Sequence, residues 1–207
     1  MKMTIESFAK NGAWYTSHQF FYRSAYVEYE LYEIRLKTLF EAEKASEIAH
    51  SNEGEYKVDL VRHETDALRE QCMRAAYCAL MFGCMCFESF LNFYGVRRLG
   101  QAFHKRFVER MGITEKLVYL LSVGSTEILS TDDEIIDRCR RLFDARNALA
   151  HPKAREVKFD AFGAPLEIPD DHPTAIPIKK HFEDLEACID ALCQHDKDIK
   201  RNFEFKK

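Results

Sequence analysis

A chain of 207 residues with 46% hydrophobic content is long enough to bury a substantial core, which places it among globular proteins. Its formal net charge of -4 excludes a global basic field, so contact with nucleic acid or anionic lipid would need a local patch. The seven cysteines (Cys72, Cys78, Cys84, Cys86, Cys139, Cys188 and Cys193) are odd in number and contain no C-x-x-C pair, which argues against a zinc grip or a disulfide framework. They are expected to be reduced core thiols in a cytoplasmic protein, and the N-terminal MKMTIESFAKNGAWYTS has no signal-peptide apolar run.

The dominant period along the chain is helical. Tyr22, Tyr26, Tyr29, Leu36 and Phe40 recur at spacings of three, four or seven, predicting a first amphipathic helix over 18–49. After a turn at SNEG, a second helix is expected over 57–98, with GVRRLG supplying the stop signals. From Ala75 to Val96 its only formal charge is Glu88, a length that would nearly cross a bilayer. Glu88 and Asn92 are costly in lipid and no second span follows, so this stretch reads as a central helix buried on all sides of a bundle, with no membrane contact.

A short helix is predicted over 114–122, and a T-x-x-E capping box from Thr131 to Glu134 opens a fourth long one that ends at Pro152. All five prolines fall between 152 and 177, marking 152–178 as a loop or small hairpin inserted before a closing helix over 179–203. The expectation is one all-α domain over 1–207, a bundle of four long helices and one short one.

The fourth helix carries the chemistry. Ile135, Cys139, Leu142, Arg146 and Leu149 form an apolar stripe, so Arg146 is expected to need a partner, with Glu88 the candidate. Asn147 and His151 share a neighbouring face, whereas Arg146 and His151 diverge by about 140° around an ideal helix. Either the turn before Pro152 distorts, or two copies of the helix meet across a twofold axis and complete one site together. Arg140, Arg141, Lys153 and Arg155, with Lys179, Lys180 and His181, are candidates for a local RNA-binding rim. The remaining histidines show no ligand spacing, so neither a metal nor a cofactor is expected.

The segment RNALAHP resembles the R-x4-6-H motif of HEPN domains, small all-α proteins many of which are metal-independent ribonucleases, and its Arg-Asn opening is the commonest form of that motif. FESFLN, with Glu88 and Asn92 in an E-x-x-x-N spacing, is similar to a signature of the same family, and ITEKL over 113–117 resembles its intervening short helix. The resemblance covers about residues 70–155. It implies a HEPN-like bundle and a homodimeric endoribonuclease that uses His151 as acid/base, Arg146 on the phosphate and Asn147 as a positioning amide, with Glu88 and Asn92 in support. A toxin or antiphage role with an antitoxin or defence partner is implied as well. Lys153 stands where some members carry a tyrosine that a partner enzyme modifies, so that mode of control is not implied here. The rival reading is a non-catalytic HEPN module for dimerisation or for nucleotide or RNA binding.

Overall fold

The computed structural model describes residues 4–9, 12–52, 55–124, 133–151 and 172–195. Its helices are α1 (His18–Asn52), α2 (Glu55–Leu99), a short α3 (Gln101–Phe103) running into a π-helical turn over His104–Val108, α4 (Ile113–Gly124), α5 (Glu134–Ala150) and α6 (Ile178–His195). The all-helical class is as expected. An N-terminal hairpin is additional: β1 (Thr4–Ala9) and β2 (Gly12–Thr16) pair antiparallel, with Ile5 opposite Tyr15 and Ala9 opposite Gly12. The Asn11-Gly12 dipeptide between runs of β-forming residues is the sequence signal for it.

The two long helices form the frame. Cys72 Sγ faces Tyr32 O, Phe21 stacks on Phe82, and Thr16 Oγ1 lies 3.3 Å from Ser89 Oγ, so α1 and α2 run antiparallel along most of their length. Small buried residues on α2 (Cys72, Ala75, Ala76 and Ala79) let α1 approach closely, and Phe87, Phe90, Leu91 and Tyr94 fill the centre of the bundle. The expected burial on all sides is corrected: Tyr77, Met85 and Glu88 form an exposed edge of α2. Glu88 thus keeps its charge in water, which removes the desolvation cost that an enclosed carboxylate would carry. By length and composition the span Glu64–Leu99 is apolar enough to cross a membrane, and half of its most apolar window is buried inside the bundle.

Gly100, at φ 81°, ends α2 where the glycine and the preceding arginines signalled a stop. The chain then re-enters helix, an element absent from the sequence reading, and the π-helical turn drives His104 back against α2 at Gly95. A Cβ on Gly95 would stand 2.5 Å from His104 Cδ2 and 2.9 Å from Nε2. Gly95→Ala is therefore expected to destabilise the fold by about 1–3 kcal/mol through overpacking, read as a lower urea midpoint at unchanged slope.

α5 opens on Asp133, whose side chain accepts a hydrogen bond from the backbone of Ile135 at 3.1 Å. Asp133 takes the N-cap role expected of Thr131, which lies outside the described residues along with Lys153, Arg155, residues 152–171 of the inserted segment and the chain beyond His195. α6 packs antiparallel on α5: Cys188 faces Ile135 O, while Asp184, 1% exposed, accepts from Arg138 and Arg141. The seven cysteines are all free thiols, five of them buried.

Candidate functional site

The RNALAH segment forms the solvent-facing last turns of α5. Ile136, Cys139, Leu142 and Phe143 are its buried residues, so the apolar stripe is centred slightly off the predicted line and Arg146 falls at its margin, half-buried. The arginine solves its burial differently from the expected ion pair. Its guanidinium carbon lies 5.3 Å from the centroid of the Phe143 ring, and among the described residues no carboxylate comes within salt-bridge distance. Arg146 Nε is buried and has no hydrogen-bond partner among the described residues. The Glu88–Arg146 bridge is thus not formed.

Asn147 and His151 are exposed. His151 is the C-cap residue, at φ -131° and ψ 64°, and its backbone N–H donates to Asn147 O at 2.9 Å. Departure from helical ψ is what a residue ahead of proline favours. Four other histidines whose side chains are described are engaged elsewhere. His18 contacts Thr16 and the ring of Phe90, His104 packs on Gly95, His172 sits 3.4 Å from Glu43, and His181 is buried near Arg141.

α2 and α5 meet through Cys84 Sγ, 3.7 Å from Leu142 O, and through Phe87, 6.2 Å from Phe143. These contacts set α5 against the middle of α2, with Cys84 one turn from Glu88 on one helix and Leu142 one turn from Arg146 on the other. The buried Cys84 thiol feels both groups: burial pushes it up to about 12, while Arg146 pulls it down and Glu88 raises it. That thiol is a packing group, not a nucleophile, at neutral pH.

Asn92, one turn beyond Glu88, accepts a 2.7 Å hydrogen bond from Lys116 Nζ, which also donates to Glu109 O at 3.4 Å. Lys116 is only 2% exposed, and burial lowers its pKa, with Glu88 and Glu109 acting in the opposite direction. The lysine of ITEKL thereby joins α4 to the E-x-x-x-N stretch of α2. Its place on the apolar stripe of Leu117, Leu120 and Leu121 is the sequence signal that could have marked it as buried.

Two arginines of the basic rim are committed to carboxylates. Arg140 bonds to Asp137 at 2.6 Å, and Arg141 holds buried Asp184 through Nε at 3.1 Å and a second nitrogen at 2.9 Å. Lys179 and Lys180 are exposed in the first turn of α6, beside Arg138 and Arg141 in a cavity of about 650 Å³. The Asp184 clamp was not singled out in the sequence. A lone acid at a buried position on the stripe of His181 and Cys188 is the signal for it. Among the described residues no group of three or more His, Cys, Asp or Glu is placed to hold a metal ion. In comparisons with family models, curated proteins and solved structures, no match was found, so any functional reading stands on the chemistry of these residues themselves.

Proposed function

We propose that this chain is a metal-independent endoribonuclease of HEPN type, acting as a homodimer on single-stranded or looped RNA. The observation that carries the reading is Arg146: a half-buried guanidinium braced on Phe143, with a buried N–H that no group among the described residues accepts, beside an exposed asparagine and an exposed histidine. An arginine without a carboxylate partner retains its donors for a phosphate, which it can hold in a forked, charge-assisted pair. Flexible RNA reaches the in-line geometry for 2′-hydroxyl attack more readily than a duplex does.

Cleavage then needs two proton transfers. One imidazole takes the 2′-hydroxyl proton while the 2′-oxygen attacks phosphorus. The bond from phosphorus to the 5′-oxygen breaks, and a second imidazole protonates that oxygen. The products are a 2′,3′-cyclic phosphate and a 5′-hydroxyl. With His18, His104, His172 and His181 engaged elsewhere, the second imidazole is assigned to His151 of another copy, across a twofold axis. Arg146 stabilises the charge that develops on the phosphoryl oxygens, and Asn147 positions the same group through its amide. A toxin or antiphage role in the cytoplasm, restrained by a partner protein, fits such an activity.

The test is incubation of purified protein with single-stranded RNA in EDTA, followed by end-group analysis. Cyclic phosphate ends are expected. Intact RNA, or cleavage that EDTA abolishes, removes the ribonuclease reading and leaves the non-catalytic module.

A further inference from the structure

A second cavity, of about 400 Å³, opens on the exposed edge of α2 between that helix and the start of α1. Its polar lining includes Glu88, Asn92 and Ser89, and its apolar lining includes Phe21, Met85 and Phe93. Thr16 and Ser17 complete a lining that is about half polar, and its volume falls in the range of small-ligand sites. Among the described residues, Glu88 forms no hydrogen bond or ion pair, although it lines a formed cavity one turn from Asn92, the partner of a buried lysine.

The orientation of Asn92 is dictated by that lysine. An ammonium only donates, so the atom 2.7 Å from Lys116 Nζ must be the amide oxygen, and Nδ2 is the edge left for a ligand. The cavity therefore presents a fixed N–H donor and, four residues away on the same helix face, a carboxylate acceptor. Side chains at that spacing have Cβ atoms about 5–6 Å apart, a separation from which both can reach one edge of a purine.

The geometry points to a guanine-binding cavity, in which Asn92 donates to O6, the Glu88 carboxylate accepts from N1–H and the 2-amino group, and Phe21 and Phe93 flank the ring. Guanine matches this pattern with a carbonyl acceptor beside two adjacent N–H donors, and a carboxylate can take both donors at once. Adenine offers one donor group and has no carbonyl, so it leaves one Glu88 oxygen unmatched. Uracil likewise presents a single N–H. Glu88, which lines the cavity, and Arg146 both act electrostatically on the Cys84 thiol, which sets the cavity near the phosphate that Arg146 would brace. In that respect the assignment rests on the ribonuclease reading, and it makes Glu88 and Asn92 specificity-determining residues.

Binding is tested without cleavage, by calorimetric titration of the full chain with guanosine 5′-monophosphate and, separately, adenosine 5′-monophosphate. The guanosine nucleotide is expected to bind about tenfold tighter, the discrimination typical of one good bidentate contact to a base. Glu88→Gln removes an exposed acceptor, and Asn92→Asp keeps the partner of Lys116 while deleting the donor; each is expected to erase the preference with an unchanged circular dichroism spectrum. Equal affinity for the two nucleotides, no binding, or a preference that survives both substitutions overturns the proposal. Cleavage of RNA with no guanine preference in binding sinks the cavity and spares the nuclease. Selective binding without cleavage does the reverse.

Discussion

Replacing His151 with alanine is expected to lower RNA cleavage in EDTA by about 10² to 10⁴, the usual worth of one positioned proton-transfer group. The fold should be unaffected, because the side chain is exposed and the cap hydrogen bond to Asn147 O comes from the backbone. Arg146→Ala should lose a comparable factor through the phosphate, and Arg146→Lys should recover little, since a lysine cannot reproduce the forked contact or the stacking on Phe143. If the site needs one His151 from each chain, mixing wild-type with His151→Ala chains gives heterodimers that hold a single imidazole, so activity falls with the square of the wild-type fraction. Gel-resolved cleavage rates over a series of mixing ratios read this out. Full activity in either single variant removes the assignment of α5 as the reacting surface.

Mild acid is expected to weaken the fold through its buried histidines. His18 is 1% exposed, lies 2.7 Å through Nδ1 from Thr16 Oγ1 and meets Phe90 edge-on, and burial lowers its pKa to about 4. In the unfolded chain the same group titrates near its ordinary value of about 6.5, so between these values the unfolded state binds the proton and the folded state does not. The contribution of a neutral His18 is complete above pH ~6.5 and is lost as pH falls toward the folded value, reaching about 2 kcal/mol by pH ~5. His104 and His181, whose pKa values burial also lowers, push the same way. Urea unfolding at pH 7.5 and pH 5 checks this: the midpoint should drop at the lower pH, and His18→Gln should reduce the drop. An identical drop in wild type and variant would show that His18 is not the source.

Much of the architecture was legible before any coordinates. Helical periodicity located α1, α2, α4, α5 and the start of α6 to within a few residues, because each long helix must bury one stripe at a 3.6-residue period and the chain records that stripe directly. The hairpin at the N-terminus and the turn at His104 were not legible in that way. Both are short elements, and the second is held by packing against Gly95, where a missing Cβ makes room for His104.

The site divides along a similar line. The amino-acid sequence by itself determined that Arg146, Asn147 and His151 stand together at the end of one helix, since local spacing and the following proline decide that much. It also marked Glu88 and Asn92 as polar residues on an apolar helix. What only the tertiary structure decided is which partner each of them has. A stripe in sequence says that a face is covered without saying how deeply, so Arg146, expected to bridge to Glu88, lies instead at the margin and rests on Phe143. Lys116, distant in sequence from Asn92, took the partnership that fixes the amide. Ion pairs and buried hydrogen bonds depend on the relative depth and rotation of neighbouring helices, and those are set by the packing of the whole bundle.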